Sequence, residues 1–254
     1  MKTFRNLLWS VFLVVLVFFS GCKKSDDGTP TGGTAYVAPS LAKDTLINLP
    51  SQITTKAGSD GNLYILTSTA AIIDVYSSDL STAFIYDQST VNGWTPTANS
   101  DGSTSYTFSY LNFAVKLTYF SSSSDSWWKY EYDSASYSHP IYFIDDKGTS
   151  GETDWYNATN FKSPSVLALK NVWTKSGATT NSTLSLYNDD GITINTQYVS
   201  TSNTDKSGTL NIYEQINSTG PLVLRWNFIW DSTGSGSYTH YDTDGTTIID
   251  SSTF

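Results

Sequence analysis

The sequence predicts a mainly β fold of the α+β kind. The expected architecture is a large antiparallel meander sheet, curved as an open half-barrel, with one long amphipathic helix over about 60–83 packed on it. Two observations predict the sheet. After Phe84 the apolar residues recur at every second position, as in Phe113, Val115, Leu117 and Tyr119, or Leu224, Trp226, Phe228 and Trp230. That is the period of a strand with one dry and one wet face. Between Leu184-Ser185-Leu186 and Ile192-Thr193-Ile194 stands Asn188-Asp189-Asp190-Gly191, and Asp-Gly between alternating runs signals a hairpin because glycine accepts positive φ. A third observation predicts the helix: Leu63, Leu66, Ala70, Ile73, Tyr76 or Ser77, Leu80 and Phe84 recur at steps of three and four.

Taken from its start, the chain opens with Lys2 and Arg5, an apolar run from Leu7 to Phe19, and the small residues Ser20 and Gly21. These are the three regions of a secretory signal peptide, 1–21. The run is short for a membrane span, which needs about 20 residues. Phe19-Ser20-Gly21-Cys22 then resembles the bacterial lipobox, with Phe19 where leucine is usual. The resemblance implies cleavage before Cys22, a thioether-linked diacylglycerol on its sulfur, and an amine acylated by a chain such as palmitate. More than one chain makes the anchor stable, since each buried methylene contributes about 0.8 kcal/mol. Cys22 is the chain's one cysteine, so it has no disulfide partner within the chain. Lys23 follows it instead of the aspartate that retains lipoproteins at the inner membrane. Lys23-Lys24-Ser25-Asp26-Asp27 resembles the export signal of surface lipoproteins in Bacteroidota. The expected location is the outer membrane, lipid-anchored and facing outward. Residues 22–43, rich in Gly, Pro, Ser and Thr, read as the lipidated cysteine and a flexible tether. A single domain is expected over 44–254.

The composition limits the partners. The formal charge is −9, and the signal carries two of the basic residues, so the remainder is more acidic still. Without a basic cluster the chain is a poor match to nucleic acid, whose phosphates need Lys and Arg. Aromatics make up 15% of residues and charged residues also 15%, against a usual charged share of about 25%. Stability is therefore expected from aromatic packing.

The helix candidate begins at Ser59 or Asp60, either of which can cap it. Thr67, Thr69, Ile72, Ile73 and Val75 are weak helix formers, which keeps two strands open as the other reading. The strands that follow number about ten. Residues 113–133 lie over 224–244 without a gap, but two hairpins of one sheet explain that without duplication. A helix with one apolar stripe buries it most simply against the sheet's apolar face. The resulting picture resembles the fold of periplasmic lipoprotein carriers. The C-terminal segments Trp230-Asp231-Ser232-Thr233-Gly234-Ser235-Gly236 and Tyr241-Asp242-Thr243-Asp244-Gly245 resemble the closing part of small uncharacterised lipoproteins of Bacteroidota.

Signals for catalysis are sparse. His139 and His240 are the two histidines, the first read as a loop residue and the second as part of a tyrosine-rich strand. There is no Gly-x-Ser-x-Gly elbow, no His-x-x-x-His pair and no phosphate loop. Asn188–Gly191 and Asp242–Gly245 offer oxygen ligands but lack the remaining positions of a calcium loop. No cofactor or metal is expected. Asp145, Asp146, Glu152 and Asp154 read as a solvated loop, and nothing in the linear order pairs two carboxylates for glycoside cleavage. The aromatics remain. Trp127 is expected outward beside Lys129 and Glu131, and Trp94 and Trp155 in loops; exposed rings of this kind stack on sugars or anchor proteins. Trp94, Trp127 and Trp155 are the candidate ligand-binding residues, and Cys22 the lipidation site. The first reading is a non-enzymatic binding module for glycan or a partner protein. The second is a carrier of an acyl ligand between helix and sheet, and the third a hydrolase.

Overall fold

A computed structural model of the chain describes residues 45–77, 95–110, 113–134, 137–157 and 166–254. The signal, Cys22, the tether, residues 78–84 of the helix stripe and Trp94 lie outside the described residues. Everything described belongs to one unit, Val37–Phe254.

Two helices precede the sheet. α1 spans Ser51–Lys56 and α2 spans Gly61–Ser77. The helical reading of the apolar stripe is right, and Asp60 is its cap: its carboxylate accepts the N–H groups of Asn62 at 2.9 Å and Leu63 at 3.2 Å. α1 was not foreseen, because six residues are too few to display a helical period.

The described strands are β1 (Thr95–Ala98), β2 (Thr104–Tyr110), β3 (Phe113–Ser121), β4 (Ser126–Ser134), β5 (Tyr137–Asp146), β6 (Ser150–Asn157) and β7 (Val166–Ser176). They continue with β8 (Thr179–Tyr187), β9 (Ile194–Asn203), β10 (Gly208–Gln215), β11 (Leu222–Trp230), β12 (Gly236–Tyr241) and β13 (Ile248–Thr253). All thirteen form one sheet in sequence order, every pair antiparallel. The meander is as expected, but the number exceeds the ten foreseen. β5 and β6 account for part of the difference. His139 belongs to strand β5 and not to a loop. Its neighbour Pro140 is tolerated because the β4–β5 register shifts there, and proline belongs at bulges. Asp145 and Asp146 close β5, and Glu152, Asp154 and Trp155 lie inside β6, so this segment is a hairpin and not a solvated loop.

Register shifts recur in the pairs β4–β5, β6–β7, β8–β9, β10–β11 and β12–β13. Each places one extra residue on the second strand of a hairpin, and a bulged strand bends and twists more strongly. This is a physical source of curvature in a sheet whose first and last described strands, β1 and β13, do not pair with each other.

The loops at this end also repeat. Asp190 accepts the N–H groups of Ile192 and Thr193 and the Thr193 hydroxyl. Asp244 does the same for Thr246, Thr247 and the Thr247 hydroxyl. Gly191 and Gly245 take φ of 66° and 71° between these groups, a left-handed turn that only glycine adopts freely. Hairpin chemistry therefore explains both Asp-Gly segments without a metal.

α2 crosses one face of the sheet. Near its start the Asn62 side chain lies close to Tyr238 on β12, and near its end Tyr76 packs edge-on against Trp155 on β6 at 5.8 Å. Seventeen residues at ~1.5 Å each give ~25 Å, close to the ~29 Å between strands six places apart. Leu63, Leu66 and Ile73 are fully buried, as are Leu184, Leu210 and Phe228 on the strands below. The segment before α1 closes one end of this face: the Asp74 carboxylate accepts the N–H groups of Leu46 and Ile47 at 2.8 and 3.2 Å, and the Asn48 N–H donates to the Ser202 hydroxyl at 3.1 Å.

Candidate functional site

The face opposite α2 carries the groups that remain for function. Strand alternation sets its members. Phe120, Trp127, Asp145, Glu152 and Val172 are successive cross-strand partners in one row, and Thr118, Lys129, Phe143, Asp154 and Lys170 form the next. Trp127 is thus on the same side as Lys129 and Glu131, as expected, while Tyr130 between them is buried on the helix side. Trp127 is half-buried and stacks on Phe120 with centroids 6.0 Å apart and planes 18° from parallel. Trp155 does not join it: it alternates to the helix face and meets Tyr76. The two described candidate tryptophans therefore lie on opposite faces.

Beside the Phe120–Trp127 stack is a charged group that linear reading missed. Lys170 reaches the Glu152 carboxylate at 2.5 Å and the Asp154 carboxylate at 3.6 Å. Glu152 and Asp154 share a face because they are two residues apart in β6, and Lys170 is the partner of Asp154 in β7. The period-two order Glu152, Thr153, Asp154, Trp155 was the available signal, with Thr153 fully buried on the other side. Along the first row Lys147 pairs with Asp145 at 2.8 Å, and on β4 Lys129 pairs with the buried Glu131 at 2.7 Å.

Burial is the main influence on this group. It pushes Asp154 up to about 6; the ammonium of Lys170 opposes this and Glu152 adds to it. Burial pulls Lys170 down, but the bond to Glu152 and the charges of both carboxylates outweigh it and leave Lys170 raised. Tyr156 and Tyr187 flank the group, and burial raises both phenols. Asp154 yields a pH prediction. Its pKa is higher in the folded state than the 3.8 of a free carboxyl, so its contribution is complete below about 3.8 and is lost as pH rises through about 6. Unfolding free energy from chemical denaturation is expected to fall between about pH 4 and 6 for this reason, and Asp154→Asn is expected to flatten that slope. An unchanged slope in the variant would assign it elsewhere. Asp244, held down to about 2 by its turn hydrogen bonds, titrates below this window.

One ammonium engages both carboxylates of β6, which places three charged groups side by side on the uncovered face. Among the described residues no three His, Cys, Asp or Glu side chains are placed to hold a metal ion. His240 lies on the helix face, flat against Trp226 with centroids 3.9 Å apart and planes 3° from parallel. Burial, then Arg225, lowers its pKa. The Trp226 stack gives His240 a packing role. No known family model matches the chain, and no curated protein matches it.

Proposed function

We propose that the chain is an outer-membrane lipoprotein, anchored through Cys22, that binds glycan on the uncovered face of its sheet and catalyses no reaction. The observation that carries the binding reading is the Phe120–Trp127 stack lying in one row with Asp145 and Glu152. An aromatic plane offers a sugar its C–H face, while neighbouring carboxylates and Lys170 supply directional partners for hydroxyls. The acyl-carrier reading requires open space between α2 and the sheet. Leu63, Leu66, Ile73, Leu184, Leu210 and Phe228 have no accessible surface, which favours the binding-face reading over a lipid cavity beside these residues.

Oligosaccharide arrays probed with the full chain, followed by calorimetry on the best ligand, test the reading. Trp127→Ala is expected to weaken that ligand roughly five- to tenfold, the loss of about 1 kcal/mol of stacking. Binding that is indifferent to Trp127→Ala would remove the stack from the site. For the anchor, labelled palmitate is expected in the wild-type chain and absent from Cys22→Ser; equal labelling of both would reject Cys22 as the acceptor.

A further inference from the structure

The row that begins at the Phe120–Trp127 stack continues past β7. Thr183 on β8 is the partner of Val172, so Phe120, Trp127, Asp145, Glu152, Val172 and Thr183 follow one another across adjacent strands. At the far end is a shallow cavity of about 150 Å³ between β7 and β8, where Val172, Thr174, Asn181 and Thr183 line the uncovered face. Strands stand ~4.8 Å apart, so Trp127 and Thr183 are separated by ~19 Å, more than a single sugar ring spans. Asn181 Oδ1 accepts the Thr201 hydroxyl at 2.9 Å, which fixes the amide and leaves its N–H donors for a ligand.

The middle of the row is short of hydrogen-bond donors. Asp125, two residues before Trp127, lies close to Asp145. With Glu152 and Asp154 these make four carboxylates, against the two ammonium groups of Lys147 and Lys170. The Oδ1 atoms of Asp125, Asp145 and Asp154 are buried, and none has a hydrogen-bond partner among the described residues. Lys170 approaches Asp154 only to 3.6 Å, too far for a hydrogen bond. An anionic ligand would meet net negative charge here. An ammonium group brings a positive charge and three N–H donors, the two things the row lacks.

We propose that the row takes a linear oligosaccharide with free amino groups, laid across the strands from the Trp127 stack to the β7–β8 cavity. This rests on the glycan reading of the same face and narrows it to an extended, cationic ligand. The indole packs against one ring, the amino groups of the following rings face Asp125, Asp145, Glu152 and Asp154, and a ring at the far end enters the cavity beside Asn181. The same carboxylates disfavour chains of uronic acids.

Calorimetry on the full chain in detergent at neutral pH tests this with linear glucosamine oligomers. A disaccharide and a hexasaccharide are each used with free amines and fully N-acetylated. The free-amine hexasaccharide is expected to bind about tenfold tighter than its acetylated form, a gap that shrinks as salt rises. Asp125→Asn, in the turn before β4, is expected to narrow the gap about threefold. Asn181→Trp, at an exposed position, fills the cavity and is expected to weaken the hexasaccharide about tenfold and to leave the disaccharide unchanged. Equal affinity of the two hexasaccharides, or no binding of the free-amine one, would overturn the proposal; if Trp127→Ala still weakened the acetylated form, the glycan reading would stand without it. A hexasaccharide no tighter than the disaccharide, or indifferent to Asn181→Trp, would overturn the path to the cavity. Acetylated oligomers indifferent to Trp127→Ala would remove the glycan reading itself.

Discussion

Phe228→Ala is expected to lower the unfolding free energy by about 3–5 kcal/mol. Phe228 is completely buried at the middle of the covered face, directly opposite Leu210, which is also completely buried. Its ring stacks on Trp226 at 5.7 Å and meets Tyr238 at 6.3 Å. Removal of the ring takes a partner from both aromatics and leaves a buried cavity that the strand backbone cannot close. A domain is stable by only about 5–15 kcal/mol, so this single change removes a large part of the total. Urea unfolding followed by tryptophan fluorescence reads the loss. The neighbouring Ile229→Ala, at a position 49% exposed, is expected to change stability by less than about 0.5 kcal/mol. A loss at Phe228 as small as that at Ile229 would mean the helix does not seal this face.

Gly151→Ala is expected to cost about 3 kcal/mol, at the upper end of what overpacking does. Gly151 is the β6 partner of Trp173 on β7, and the indole lies directly over it. An added methyl carbon would stand 2.0 to 2.7 Å from three atoms of that ring. Trp173 is 2% exposed and cannot swing aside. Gly61→Ala is the contrasting case: nothing lies within 4 Å and the site is in the first turn of a helix, where alanine is favoured, so a gain of a few tenths to about 1 kcal/mol is expected. Trp173→Phe combined with Gly151→Ala is expected to recover part of the loss, because the smaller ring yields the space; strictly additive losses would show that the two positions do not interact. The same relation recurs at Gly208, where an added carbon would stand 2.5 Å from the Trp230 ring.

The parts of the fold that were legible in sequence are those where period and burial agree. Leu63, Leu66, Ala70 and Ile73 announced α2 because all four point to one surface, and all four are buried. Leu210, Ile212, Phe228 and Trp230 announced β10 and β11 for the same reason. β6 was hidden because Gly151, Glu152 and Asp154 carry the composition of a loop, while the residues that bury, Thr153 and Gly151 among them, are not large apolar ones. The glycine is there to admit an indole from the next strand, a contact that no local pattern displays. The charged group on the uncovered face was out of reach for a related reason. Glu152 and Lys170 are far apart in the chain and meet only through the β6–β7 register. Trp155 shows the converse: an aromatic among polar residues looked exposed, yet strand alternation turned it to Tyr76.

The strict sequence order of the sheet also sets how the chain assembles. Each strand finds both its neighbours immediately before and after it, so every ladder closes only a short loop, and the entropy lost in closing a loop grows with its length. Thirteen strands therefore carry a low contact order for an all-antiparallel architecture, and hairpins add one after another without waiting for distant segments. The remote pairings belong to the N-terminal part: Asn48 with Ser202, and the Ile73 carbonyl with Asn171. These bonds are made by the first segment synthesised with strands made much later. They tie the N-terminal segment to the middle strands of the meander, so that the hairpins and α2 share bonds beyond their own ladders.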